Sequence, residues 1–261
     1  RKYLDKIKPN FEEGGKLHWL YSTYDAFETF LFVPNTTSKS GVHIHDARDS
    51  KRTMIIVIIA LIPALLLGMY NVGLQHYMSI GVEAGWLTKF FYGLLALLPQ
   101  IIVSYVVGLG IEFAVAQVKK EEVAEGFLVS GMLIPMILPI DTPLWMIAIA
   151  TAFAVIFAKE VFGGTGYNIF NVALIARAFL FFSYPSKMSG TEVWVRTRDT
   201  FGMGGGNVVD GFSGATPLGQ IATTDAANFG EFTFQGITGQ SLSIADMFWG
   251  FIPGSVGEVS T

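Results

Sequence analysis

Long runs without charge decide what this chain can fold into. From Thr53 to Asn71 there is no Asp, Glu, Lys or Arg. About 20 such residues span the ~30 Å hydrocarbon core of a bilayer as a helix. Four more apolar runs follow. Residues 90–116 carry Glu112 as their one charge, and 126–140 carry none but hold Pro135 and Pro139. Residues 144–158 are closed by Lys159 and Glu160, and 168–184 are interrupted by Arg177. In lipid every backbone N–H and C=O must find a partner within the protein, so runs of this kind become helices. The composition agrees: 15% of the 261 residues are charged, against about 25% in a soluble domain. The expected fold is an all-α polytopic membrane protein with about five visible membrane helices.

Charge distribution orients these spans. Arg48, Lys51 and Arg52 precede the first, Lys119 and Lys120 follow the second, and Lys159 closes the fourth. The positive-inside rule puts those ends in the cytoplasm, and the N-terminus with them. Lys187, Arg196 and Arg198 fall in the opposite loop, which is long and counts for less. Four segments are expected: a cytoplasmic N-terminal part (1–52), a helical bundle (53–184), an extracytoplasmic loop (185–243) and the start of a second membrane half (244–261). The aromatic stretch His18–Val33 fits an interfacial helix or one docked on a neighbouring protein. The polar first 50 residues leave no secretory signal, so the first span is expected to direct insertion. The ending Gly257-Glu258-Val259-Ser260-Thr261 suggests that the chain continues further.

Net charge of −4 gives no reason to expect nucleic acid. The absence of cysteine removes disulfides, iron–sulfur ligation and thiolate zinc sites from this chain. Four histidines (His18, His43, His45, His76) are too scattered for a metal cage. Short, proline-broken spans at membrane depth survive only where protein covers them. Such segments often mark a binding site in an inverted-repeat fold, of which one half is visible here.

The chemically informative stretch is Asp210-Gly211-Phe212-Ser213-Gly214-Ala215-Thr216. Read cold, it is a small-residue turn with two hydroxyls. It resembles the Asp-Gly-x-Ser/Thr-Gly-Ala-Thr acceptor at which a flavin transferase joins FMN to a threonine through a phosphoester bond. Gly214 and Ala215 would then clear space for the transferase and the flavin phosphate. A second stretch runs from Ala158-Lys159-Glu160-Val161-Phe162-Gly163-Gly164-Thr165-Gly166-Tyr167-Asn168 to Asn171 and on through Arg177 to Phe182. Together with Ile252-Pro253-Gly254-Ser255-Val256-Gly257-Glu258, it resembles the B subunits of sodium-translocating NADH:quinone reductases, with the Rnf D subunits as near neighbours. Phe11-Glu12-Glu13-Gly14-Gly15-Lys16 favours the former.

The resemblance implies a urea-transporter-like half fold, a flavin-bearing loop and further helices beyond Thr261. It implies FMN on Thr216, a riboflavin near Asn168 and Asn171, electron flow to quinone and coupled sodium export across a bacterial inner membrane. Partners would be an NADH- and iron–sulfur-bearing subunit, a second FMN subunit and small membrane subunits. Glu112 matches an acidic residue of sodium uptake, and Gly108 a glycine near the quinone site, although Leu109 stands where the family has a second glycine. The residues also admit plainer roles. Asn168 and Asn171 suit helix caps, and Glu112 can reach water or Lys119. Arg177 can pair with Glu160 or hold a flavin or quinone carbonyl. Gly163–Gly166 reads as a tight turn. Phe179, Phe181, Phe182 and Tyr184 flank a ring or form an interfacial belt. An Rnf-type subunit, a urea- or ammonium-type channel and a scaffold without cofactor are the alternatives.

Overall fold

The computed structural model describes residues 2–12, 14–32, 40–41, 50–119, 123, 126–224 and 233–259. His43, His45, Arg48, Lys120 and the chain's last two residues lie outside that set. Ten α-helices occur among the described residues: α1 (Lys2–Ile7), α2 (Tyr21–Leu31), α3 (Ser50–Ser79), α4 (Trp86–Lys119), α5 (Phe127–Ile137), α6 (Leu144–Ala154), α7 (Val172–Ser183), α8 (Pro185–Met188), α9 (Pro217–Thr223) and α10 (Ile244–Trp249). No strand occurs among them beyond two isolated bridges. Three helices are long and apolar enough to cross a membrane: Arg52–Ser79, Trp86–Lys119 and Leu144–Phe162. α5 and α7 are apolar but shorter, so two of the five expected spans are partial.

α3 and α4 form an antiparallel pair. A Cβ on Gly73 would fall 1.8 Å from the Lys89 carbonyl oxygen, and one on Gly93 would fall 1.8 Å from that of Met69. Glycine lets the two backbones touch, as small residues do between membrane helices. α5 runs back along α4 and is tied to it by polar groups. Pro135 has no N–H, so the Gly131 carbonyl loses its helical partner. The Ser104 hydroxyl donates to that carbonyl at 3.0 Å. The Tyr105 hydroxyl donates to Leu128 O at 2.6 Å, and Gln100 Nε2 to Ile140 O at 2.7 Å. Each bond satisfies a carbonyl that lipid could not.

Two apolar clusters result. One joins α5, α6 and α7 around Phe127, Ile147 and Leu180. The other joins α3 to the first half of α4 around Tyr92 and Leu97, and takes in Val256. Val256 comes from residues 250–259, irregular backbone inserted beside α3 and α5. Asn71 Nδ2 donates to Ile252 O at 2.9 Å, and Gly257 N–H donates to Met136 O at 2.8 Å. This non-helical backbone packs on the helices through Pro253, Ser255 and Val256 and lines a cavity elsewhere, the two settings in which membrane depth tolerates it.

One end of the bundle is capped by residues 189–216. His76 is buried; its ring nitrogens lie 2.7 Å from Arg196 O and 2.8 Å from Gly204 O, and the ring stacks on Tyr92 at 3.9 Å. Arg196 and Arg198 both reach Asp141, in the α5–α6 turn, at 3.1 and 2.7 Å. Those two charges, which run against the charge-based orientation, therefore serve the cap.

At the other end α2 packs on α4, with Phe27 near Phe113 (6.4 Å between ring centroids). The N-terminal segment folds onto α2: Tyr24 stacks on Phe11 at 4.8 Å and donates to Leu4 O at 2.9 Å. Lys8 pairs with Glu28 at 3.2 Å, and that bond raises the Lys8 pKa.

Candidate functional site

Thr216 ends the acceptor-like stretch and begins α9. Its Oγ1 accepts the Gly219 N–H at 3.1 Å, an ordinary N-cap, and this leaves its own O–H directed elsewhere. Asp210 and Ser213 are exposed. Gly214 and Ala215 are buried and do not clear space outward. A Cβ on Gly214 would lie 2.5 Å from Thr191 O, so the glycine lets the loop press on its neighbour instead. The loop is pinned at both sides: Val209 N–H donates to Ser79 O at 2.9 Å and Ser213 N–H to Ile237 O at 3.1 Å.

Thr216 opens onto a cavity of about 390 Å³, walled also by Trp194, Leu218, Ile252, Glu258 and Arg177. That volume falls in the range of small-molecule sites, ~300–1,000 Å³. Arg177 does not meet Glu160. Its Nη1 donates to Glu258 Oε2 at 2.7 Å, and Ser255 Oγ donates to the same oxygen at 3.1 Å. Glu160 instead faces Lys119 at 3.5 Å. Sequence spacing hid this partner because Glu258 comes from a segment 81 residues away. The donor set and cavity fit an apolar ring attached through a phosphate: a hydroxyl, a guanidinium and an indole line the same cavity.

Asn168 and Asn171 sit together before α7. Asn171 caps the helix, accepting from Ala173 N–H at 2.9 Å and Leu174 N–H at 3.2 Å. Asn168 does not cap it. Its side chain accepts from Gly166 N–H at 3.3 Å and donates to Phe170 O at 3.0 Å, closing a local turn. The turn itself is as expected, with Gly163, Gly164 and Gly166 at φ of +111°, +92° and +94°. Tyr167, Ile169 and Phe170 around it are exposed. From Asn171 to Arg177 is six residues of helix, about 9 Å of rise, so the asparagines and the Thr216 cavity lie along one short element.

Glu112 and Gly108 share a face of α4. Gly108 takes the Phe127 ring against its backbone; a Cβ there would meet that ring at 1.9 Å. Glu112 reaches neither water nor Lys119. It is paired with Lys159, the two side chains being 2% and 3% exposed. A π turn over Val155–Lys159 extends α6 and delivers that ammonium. Glu112 Oε2 is buried without a hydrogen-bond partner. No cluster of three metal-ligating side chains occurs among the described residues. Of the aromatic run, Phe179 stacks on Phe153 at 4.6 Å and Tyr184 meets Trp145 at 5.6 Å, while Phe182 faces outward.

The NQR2, RnfD, RnfE family profile matches residues 37–261. Three curated relatives are each named as the B subunit of a Na(+)-translocating NADH-quinone reductase. That of Klebsiella pneumoniae is 40% identical over 287 residues, covering 99% of the chain. That of Neisseria meningitidis is 40% identical over 286 residues and that of Yersinia pestis 38% over 290, each covering all of it. The chain spans about 66% of the length of each of these relatives.

Proposed function

The chain belongs to the NQR2, RnfD, RnfE family, and from that premise we propose that it is a membrane electron-transfer subunit of a sodium-pumping NADH:quinone oxidoreductase. The reading includes covalent FMN on Thr216, riboflavin near Asn168 and Asn171, quinone as acceptor and sodium as cargo. It also includes a bacterial inner-membrane location with a cytoplasmic N-terminus. Partners are an NADH- and iron–sulfur-bearing subunit, a second FMN subunit and small membrane subunits, since this sequence holds no cysteine to ligate a cluster. The bundle is one half of an inverted-repeat fold, and residues 185–243 are its flavin-bearing loop.

The observation that carries the proposal is the position of Thr216: the last residue of the acceptor-like motif lines a ligand-sized cavity against the helices. Flavins supply the redox chemistry when bound; the protein holds them, tunes them and excludes water. Thr216 offers the hydroxyl. Trp194 and Leu218 offer apolar surface to a ring. Asn168 and Asn171 each carry an amide able to donate and accept, although their local bonds occupy part of that capacity. At Glu112 a sodium ion would share the carboxylate with Lys159 or displace the ammonium, and Oε2 is the oxygen with capacity to spare. An Rnf-type role in a ferredoxin-linked complex is the second reading, favoured by the same family profile.

The test is Thr216→Ala and Thr216→Leu in the assembled complex, with flavin fluorescence read from this band after denaturing electrophoresis. Loss in both variants is expected. Persisting fluorescence removes the assignment. A non-redox channel or a cofactor-free scaffold would give no fluorescence in the unaltered protein either.

A further inference from the structure

Arg177 is the one cation on the wall of the Thr216 cavity among the described residues. It stands midway along α7, where a charge among apolar residues is expensive unless it has a partner or a task. Its visible partner, Glu258, is a weak reason for its presence. The pair is open to the cavity, with side chains 33% and 47% exposed, and open pairs contribute about 0–1 kcal/mol. The contact engages one Nη1, whereas a guanidinium carries five N–H donors in a fixed fork. That geometry lets one arginine serve a carboxylate and a phosphate together, which a lysine ammonium does less well.

Charge balance points the same way. Arg177 and Glu258 leave the wall neutral. Esterifying Thr216 with a flavin phosphate adds a phosphodiester monoanion to that wall, which a neutral apolar surface would not stabilise.

We infer that the Arg177 guanidinium holds the phosphodiester of a Thr216-linked flavin, and that Glu258, steadied by Ser255, keeps the guanidinium turned toward the cavity. This rests on the proposed attachment at Thr216 and adds to it the residue that fixes the phosphate.

The experiment uses the assembled, detergent-purified complex matured with its flavin transferase and labelled with ¹⁵N-arginine. The phosphorus-31 resonance absent from Thr216→Ala identifies the linkage. In the unaltered complex that resonance should be dephased by arginine nitrogen. In Arg177→Lys, which keeps the positive charge, the dephasing should vanish while peptide mass still shows flavin on Thr216. Glu258→Gln should keep the flavin and weaken the dephasing. Flavin present on Thr216 with no arginine dephasing in the unaltered complex overturns this inference alone. Dephasing that survives Arg177→Lys assigns the contact to another arginine and also overturns it. No flavin mass on Thr216 removes the attachment itself. Should Arg177→Lys not assemble, Glu258→Gln decides the source, because Glu258 bonds Arg177: weakened dephasing supports Arg177, and dephasing unchanged from the unaltered complex overturns the inference.

Discussion

Two ion pairs flank the bundle, and they are opposites. Lys159–Glu112 is sealed, with both side chains almost wholly buried. Arg177–Glu258 opens onto a cavity beside a motif hydroxyl. Burying two charges costs several kcal/mol per ion before their attraction repays it. Maintaining the first pair therefore requires close packing around it, seen in Phe127 pressed on Gly108 one turn away. The second pair avoids that penalty and keeps donors available. A sealed carboxylate needs a cation beside it at all times, whether ammonium or its replacement, whereas an open pair leaves donors available to a further ligand.

The largest effect should come from breaking the sealed pair. Lys159→Met leaves a buried carboxylate uncompensated and should lower stability by about 3–5 kcal/mol. Adding Glu112→Leu should recover most of it, as read from thermal unfolding in detergent. Equal losses in the single and double variants would mean that the pair is not buried as described. Next is Gly108→Ala, which forces a methyl into the Phe127 ring and should cost about 1–3 kcal/mol. Gly110→Ala, with nothing within 4 Å of its Cβ position, should be neutral or slightly stabilising. Ser104→Ala leaves the Gly131 carbonyl without its donor and should cost about 1 kcal/mol. At the open pair, Arg177→Gln in flavin-free protein should change stability by less than about 1 kcal/mol. A loss matching that of Lys159→Met would erase the distinction.

The smallest effect concerns pH. The Ser243 hydroxyl and N–H hold the Asp246 carboxylate below its ordinary pKa of 3.8, because both bonds favour the charged form. A depressed carboxylate pKa means that the cap's contribution is present above that ordinary value and is lost as pH falls through the lower folded one. Ser243→Ala should therefore flatten the acid limb of the pH–stability curve by lowering its neutral plateau slightly, the two proteins converging in strong acid.

Much of this was legible in the sequence, for physical reasons. Apolar runs with at most one charge marked the five helices, three long enough to cross a membrane and two shorter, because a helix pairs its own backbone groups where lipid offers none. The prolines near 135 and 139 marked the short helix, and the glycines at 163–166 the turn. Local caps were half legible: Asn171 stands one residue before the helix it caps, whereas Asn168 closes a turn of its own. Long-range pairing was not legible. Glu112 and Lys159 lie 47 residues apart, Arg177 and Glu258 81 apart, and His76 meets Gly204 across 128. Periodicity carries no information about which distant carboxylate or carbonyl a side chain will reach. The one available signal was cost: Glu112 and Arg177 each sit alone in an apolar run, and an isolated charge there demands a partner from elsewhere.

The central claim is that Thr216 carries a flavin by its phosphate in the cavity beside α7. Mass spectrometry of the Thr216 peptide, taken from complex matured with its transferase, tests it most directly. The account predicts a peptide heavier by one FMN less a water, with fragmentation placing the addition on Thr216. A peptide found only at its unmodified mass would contradict it.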